Sequence, residues 1–151
     1  MSINSSIGLL AVRQIAALVG SAGSPAPVAR TDQTEYTEDR LPAYNVFRAK
    51  DHFAYKGARS AANAEFDVII RAMVKATSES DEAADPLIVW AWQQVMTDCT
   101  LGRIVSEAKV TDVEYVYLNK GEYDVLAADI TVSITVDVGR SDPTQNLTYG
   151  E

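Results

Sequence analysis

His52 and Cys99 are the only histidine and the only cysteine in this chain of 151 residues, and that bounds its chemistry. A metal centre built on several imidazoles is impossible. A histidine-activated nucleophile would rest on His52 alone, with no evident orienting partner. Cys99 has no partner for a disulfide and reads as a small buried hydrophobe. Glu79, Asp81, Glu82 and Asp85 offer the oxygen ligands that hard cations take, but not at EF-hand spacing; they read as a solvated acidic loop. The chain carries no phosphate-binding glycine loop, no dinucleotide fingerprint and no HExxH. No pair of carboxylates stands apart as acid and base. The chain is therefore expected not to be an enzyme, and to need no cofactor and no metal.

One cluster survives this elimination. Phe53, Tyr55, Lys56 and Arg59 mix aromatic and basic side chains on the connection from Asp51 to Ala62. Either the rings fold back on the sheet, or the segment is a contact arm for an acidic surface. The charge distribution supplies such a surface. Residues 48–75 carry six basic and three acidic side chains, whereas residues 76–151 carry four basic and fourteen acidic ones. Opposite charges on one chain suit head-to-tail contacts between copies. The net charge of −8 argues against a general nucleic-acid binder but does not exclude a protein that lets DNA pass without holding it. Trp90 and Trp92 lie two apart on a predicted helix and cannot share a face. Trp90 is assigned to the core and Trp92 to a candidate interface.

The elements that must position these residues follow from hydrophobic period. Asp124 to Val138 is the clearest: Leu126, Ala128, Ile130, Val132, Ile134, Val136 and Val138 alternate with Asp129, Thr131, Ser133, Thr135 and Asp137. That is a strand with one buried and one wet face, and at roughly 3.3 Å per residue it reaches roughly 50 Å, well past an ordinary strand. Glu107 to Leu118 alternates too, and Asn119-Lys120-Gly121 joins the pair as a hairpin. Glu65 to Ala76 is a strand with Phe66, Val68, Ile70, Ala72 and Val74 inside; Ile69 and Met73 on the other parity imply a partly covered second face. Ala43 to Ala49 is a strand opened by Leu41-Pro42, and Val28 to Thr37 an irregular edge segment. A helix capped by Asn4, Ser5 or Ser6 ends at Gly20, burying Ile7, Leu10, Ile15, Leu18 and Val19. It reads as a folded amphipathic helix rather than a signal peptide. A second helix starts at Asp85-Pro86 and runs to Thr97 on Leu87, Trp90, Ala91 and Val95, with Trp92 and Met96 to the side. The expected fold is α+β: a largely antiparallel sheet, two helices on one face, a long C-terminal hairpin, a single domain over 1–141 and a flexible tail over 142–151.

Several strings in this order resemble the tail terminator, or minor tail completion, family of long-tailed bacteriophages. They are Leu41-Pro42-Ala43-Tyr44-Asn45-Val46-Phe47, Phe66-Asp67-Val68-Ile69-Ile70, Thr100-Leu101-Gly102 directly after the second helix, and Asp142-Pro143 after the closing hairpin. The likeness spans residues 5 to 143. It implies a structural virion protein forming a ring, usually hexameric, that caps the tail tube, ends its polymerisation and joins it to the head. Its partners would be further copies of itself, the tube protein and a head-completion or connector protein, with DNA passing through unbound and no membrane involved. The family has no catalytic motif, so no functional residue is carried over. The length and basicity of Asp51 to Ala62 depart from its pattern. A head–tail connector or tube-type ring protein is the nearest alternative, and a monomeric domain binding a small ligand near Trp90 is another.

Overall fold

Ser6 opens the first helix: its backbone is extended and its hydroxyl accepts the Leu9 N–H, one of the donors that a helix start leaves orphaned. The computed structural model describes residues 4–31, 40–55, 57, 60–120 and 123–148. Helix α1 (Ile7–Val19) buries Ile7, Ala11, Val12, Ile15 and Val19, and the Gly20 N–H closes it on the Ala16 carbonyl. The buried arc centres on Ala11 and Ile15, so Leu10 turns outward rather than into the core, and Leu18 is half-buried.

Strand β1 (Val28–Arg30) pairs parallel with β2 (Ala43–Tyr55). The rest of the segment expected over Val28 to Thr37 lies mostly outside the described residues. β2 pairs with β3 (Ala61–Lys75), and β3 with β5 (Tyr123–Gly139). β4 (Glu107–Lys120) forms the far edge on β5, and every one of these pairs after β1 is antiparallel. The order is β1-β2-β3-β5-β4, with β6 (Asp142–Asn146) also on β5. The chain is thus a mixed α+β protein with a six-stranded sheet among the described residues. The start of the expected tail is β6, not a loose end: its register pairs Val138 with Asn146, and the Asn146 side-chain amide donates to the Ile104 carbonyl at 2.6 Å.

Helix α2 (Ser80–Thr97) begins five residues before the expected Asp85-Pro86 start. Buried Ser80 and Ala84 anchor its first turn, and Ala83 N–H donates to the Glu79 carbonyl. Pro86 removes a donor for the carbonyl of exposed Glu82, where water can replace it. Most of the supposed acidic loop is therefore helix, with Asp81 and Glu82 in the first turn, where the helix dipole favours negative charge. Leu87, Ile88, Ala91 and Val95 are buried. Trp90 is half-buried rather than buried, and its indole N–H donates to the Val19 carbonyl at 2.7 Å, tying α2 to the end of α1.

One apolar cluster joins residues of both helices to Val46 of β2, the even positions Ala62–Val74 of β3 and the even positions Leu126–Val138 of β5. A second, small cluster on the opposite parity contains Ala43, Met73, Val125 and Ala127, which is the partial cover that Met73 implied. Tyr44 is the largest fully buried side chain; its hydroxyl donates to the Leu87 carbonyl at 2.7 Å, so β2 is bonded to α2 through the core.

Candidate functional site

The expected contact arm is not a long loop. β2 runs on to Tyr55 and β3 starts at Ala61, so Phe53 and Tyr55 stand at the end of a long hairpin. Lys56 and Arg59 lie outside the described residues. The Phe53 ring meets Phe66 edge to face, with centroids 6.0 Å apart, while still 36% exposed. Tyr55 is more open, and the Arg140 guanidinium stacks 4.9 Å from its ring centroid. The same guanidinium donates to the Gly57 carbonyl at 2.6 Å, so the start of β6 and the hairpin end are held together. Phe53, Tyr55, Val138, Arg140 and Pro143 line a cleft of about 260 Å³ there. Arg140 is a basic member of this tip that sequence reasoning missed. Its signal was its place just beyond the longest strand, which lands beside the hairpin end because Gly139 pairs with Ala61.

A second group lies on α2 and β4. Val89, Trp92 and Met96 recur at helical spacing along α2 and are 40–45% exposed. Trp90 and Gln94, on the other side of α2, meet Val19 and Ser21 at the end of α1. The exposed stripe therefore looks away from α1. Tyr115 and Tyr117 of β4 pair with Ala128 and Leu126, whose side chains are in the helix-side cluster, yet both tyrosines are more than half exposed. Trp92 thus belongs to an exposed apolar stripe with Val89 and Met96, and Tyr115 and Tyr117 are exposed on β4. The other exposed large apolar groups are Leu10, Phe53 and Tyr55, on α1 and the outer part of β2.

The sheet positions of opposite parity form a polar face. Cross-strand rows run Asn45–Arg71–Asp129–Glu114, Lys50–Asp67–Ser133–Lys109 and His52–Glu65–Thr135–Glu107. Arg71 grips Asp129 with two hydrogen bonds of 2.7 and 2.9 Å and lies 5.3 Å from the Phe47 ring centroid. The hydrogen bond to Asp129 raises the Arg71 pKa above its ordinary value and outweighs the effect of burial, so the guanidinium stays charged. Lys50, His52, Glu65 and Asp67 line a shallow cleft of about 220 Å³. His52 is exposed, and among the described residues no group of three or more histidines, cysteines and acids could hold a metal ion. Cys99 is exposed, not a buried hydrophobe, because it lies in the turn after α2 rather than on its core stripe. Trp90 lines none of the clefts described here. No helix among the described residues is long and apolar enough to cross a membrane.

No protein-family model matches the chain, and no curated protein matches it. Among solved structures, it is similar to a chain of the virion of a native gene transfer agent particle, with 14% identity and a TM-score of 0.36, over 87% of this chain and 95% of that one. A likeness at this level bears on neither fold nor role.

Proposed function

We propose that this chain is a non-catalytic structural virion protein that assembles head to tail into a hexameric ring, caps a phage tail tube, ends its growth and supplies the joint to the head. The observation behind this reading is that exposed aromatic side chains stand on both outer strands of one sheet. Phe53 and Tyr55 lie on β2 and Tyr115 and Tyr117 on β4, while Leu10 of α1 and Val89, Trp92 and Met96 of α2 add exposed apolar groups on the helices. Two different patches on opposite sides suit heterologous contacts, which close into rings; a two-fold dimer would need one self-complementary patch. Both helices cover one face of the sheet. The polar face lines the channel, where Glu65, Asp67, Asp112, Glu114 and Asp137 outnumber the cations and repel passing DNA. The hairpin end with Phe53, Tyr55, Lys56 and Arg59 contacts the neighbouring copy or the tube.

Light scattering on a size-exclusion column, over a range of protein and salt concentrations, is expected to give a closed oligomer of about six copies. Imaging should show it seated once at the end of a tail tube. Stacking into tubes would reassign it to the tube type, and a monomer that ignores purified tubes would overturn the ring. Lys56→Glu with Arg59→Glu is expected to weaken assembly through the basic tip; unchanged assembly and tube binding would remove the arm from the interface.

A further inference from the structure

The backbone at the two edges adds to the side-chain patches. Among the described residues, β4 pairs only with β5, so its outer side is open along Glu107–Lys120. Among the described residues, β1 covers β2 only at Tyr44–Val46, with the Thr31 N–H on the Val46 carbonyl, and no described strand pairs with the outer side of β2 from Phe47 to Tyr55. An open row of N–H and C=O groups of this length is a template for another strand, and proteins usually blunt it. Here the devices are a bulge in each edge, at Ala49 and at Thr111, and a few charges.

Direction and charge select the occupant. β2, β3, β5 and β4 are successively antiparallel, so β2 and β4 run in opposite directions. Two copies set side by side in the same orientation therefore bring β4 of one antiparallel to β2 of the next. The open part of β2 carries Arg48, Lys50 and His52, with Asp51 bonded to Arg48 at 2.5 Å. β4 carries Glu107, Asp112 and Glu114, with Lys109 beside Glu107 at 3.7 Å. With Arg48 paired to Asp51, Lys50 leaves this edge net positive, and Asp112 and Glu114 face it from a net negative one. Without stagger, the row that holds His52 also holds Glu107, which sets them opposite one another across the joint. In the same register Tyr115 lies level with Tyr44, and so with β1 and the cleft of about 460 Å³ lined by Pro25, Pro27 and Pro42.

We infer that β4 of each copy adds as an antiparallel strand to the Phe47–Tyr55 edge of β2 in a second copy, so that the sheets continue from subunit to subunit. The inference rests on the ring reading and specifies its joint.

The test is disulfide trapping in a Cys99→Ser background, with the assembly checked by native mass. Single variants on β2 (Arg48→Cys, Lys50→Cys, His52→Cys) are mixed pairwise with single variants on β4 (Glu107→Cys, Lys109→Cys, Asp112→Cys, Glu114→Cys). At least one pairing should give a mixed disulfide dimer, in yield about tenfold above that from Arg13→Cys on α1, because docking raises the effective thiol concentration. A ring-sized particle with no trapped pairing would overturn the strand joint and leave the ring intact. Self-trapping of a β4 variant in preference to mixed trapping would show a two-fold contact and overturn both. Absence of any assembly, alone or on tail tubes, would overturn the ring and the joint with it.

Discussion

Alanine at Tyr44 is expected to lower the free energy of unfolding by about 3–5 kcal/mol, the range for truncating a large core aromatic. The side chain is fully buried. Its backbone is paired on both sides, to Val28 of β1 and Ala72 of β3, and its hydroxyl reaches the Leu87 carbonyl across the core. Tyr44→Phe keeps the ring and removes only the hydroxyl's bond to a carbonyl that still serves the helix, and should cost about 0.5–1.5 kcal/mol. Urea unfolding of both variants checks the pair, and a loss below about 1 kcal/mol for alanine would contradict a cavity of that size. Burial also raises the Tyr44 pKa well above its ordinary value. A phenol with a raised folded pKa adds stability that is complete below its unfolded value of about 10 and lost as pH climbs toward the folded value. The wild-type protein should therefore lose stability above about pH 10, and Tyr44→Phe should flatten part of that decline.

Glutamate at Trp92 is expected to weaken assembly by about 2 kcal/mol or more, roughly thirtyfold in dissociation constant, which is the size of an aromatic interface anchor. The indole is 45% exposed and sits in the middle of the Val89–Met96 stripe, so the folded subunit should change by no more than about 0.5 kcal/mol. Dilution series followed by light scattering give the first number and urea unfolding the second. A variant that assembles as tightly as wild type would take the α2 stripe out of the contact. One that loses both assembly and folding would show that Trp92 acts within its own subunit. Trp90 is the internal comparison: its N–H is bonded to Val19, so truncation there should act on the fold first.

The parts of the fold that were legible in the sequence are those where one face meets the helices and the other meets water. β5 and the middle of β3 alternate because each even position enters the helix-side cluster. β2 beyond Phe47 has no such contrast. Every residue from Arg48 to Tyr55 is exposed, and the bulge at Ala49 inverts the parity midway, so a strand of 13 residues reads as a strand of seven followed by a loop. The first turns of α2 were hidden by Pro86, whose usual place is a helix start; packing of Ser80 and Ala84 carries the helix past it. β6 was hidden by Asp142-Pro143, a turn signal on a strand with a single partner. The candidate site was legible as residue types only. Phe53 and Trp92 were marked as contact groups, but that β2, which carries Phe53, and β4 stand on opposite sides of the sheet depends on β3 pairing with β5, a join between segments some sixty residues apart that no local pattern records.

The two bulges have a joint effect. Ala49 on β2 and Thr111 on β4 are the extra residues, and they flank a single row, the one through Val68 and Val132. Both margins of the sheet are therefore one residue longer than its midline at the same height. A bulge bends its own strand and tightens the local right-handed twist, so both margins bend beside this row while β3 and β5 run through it in unbroken register.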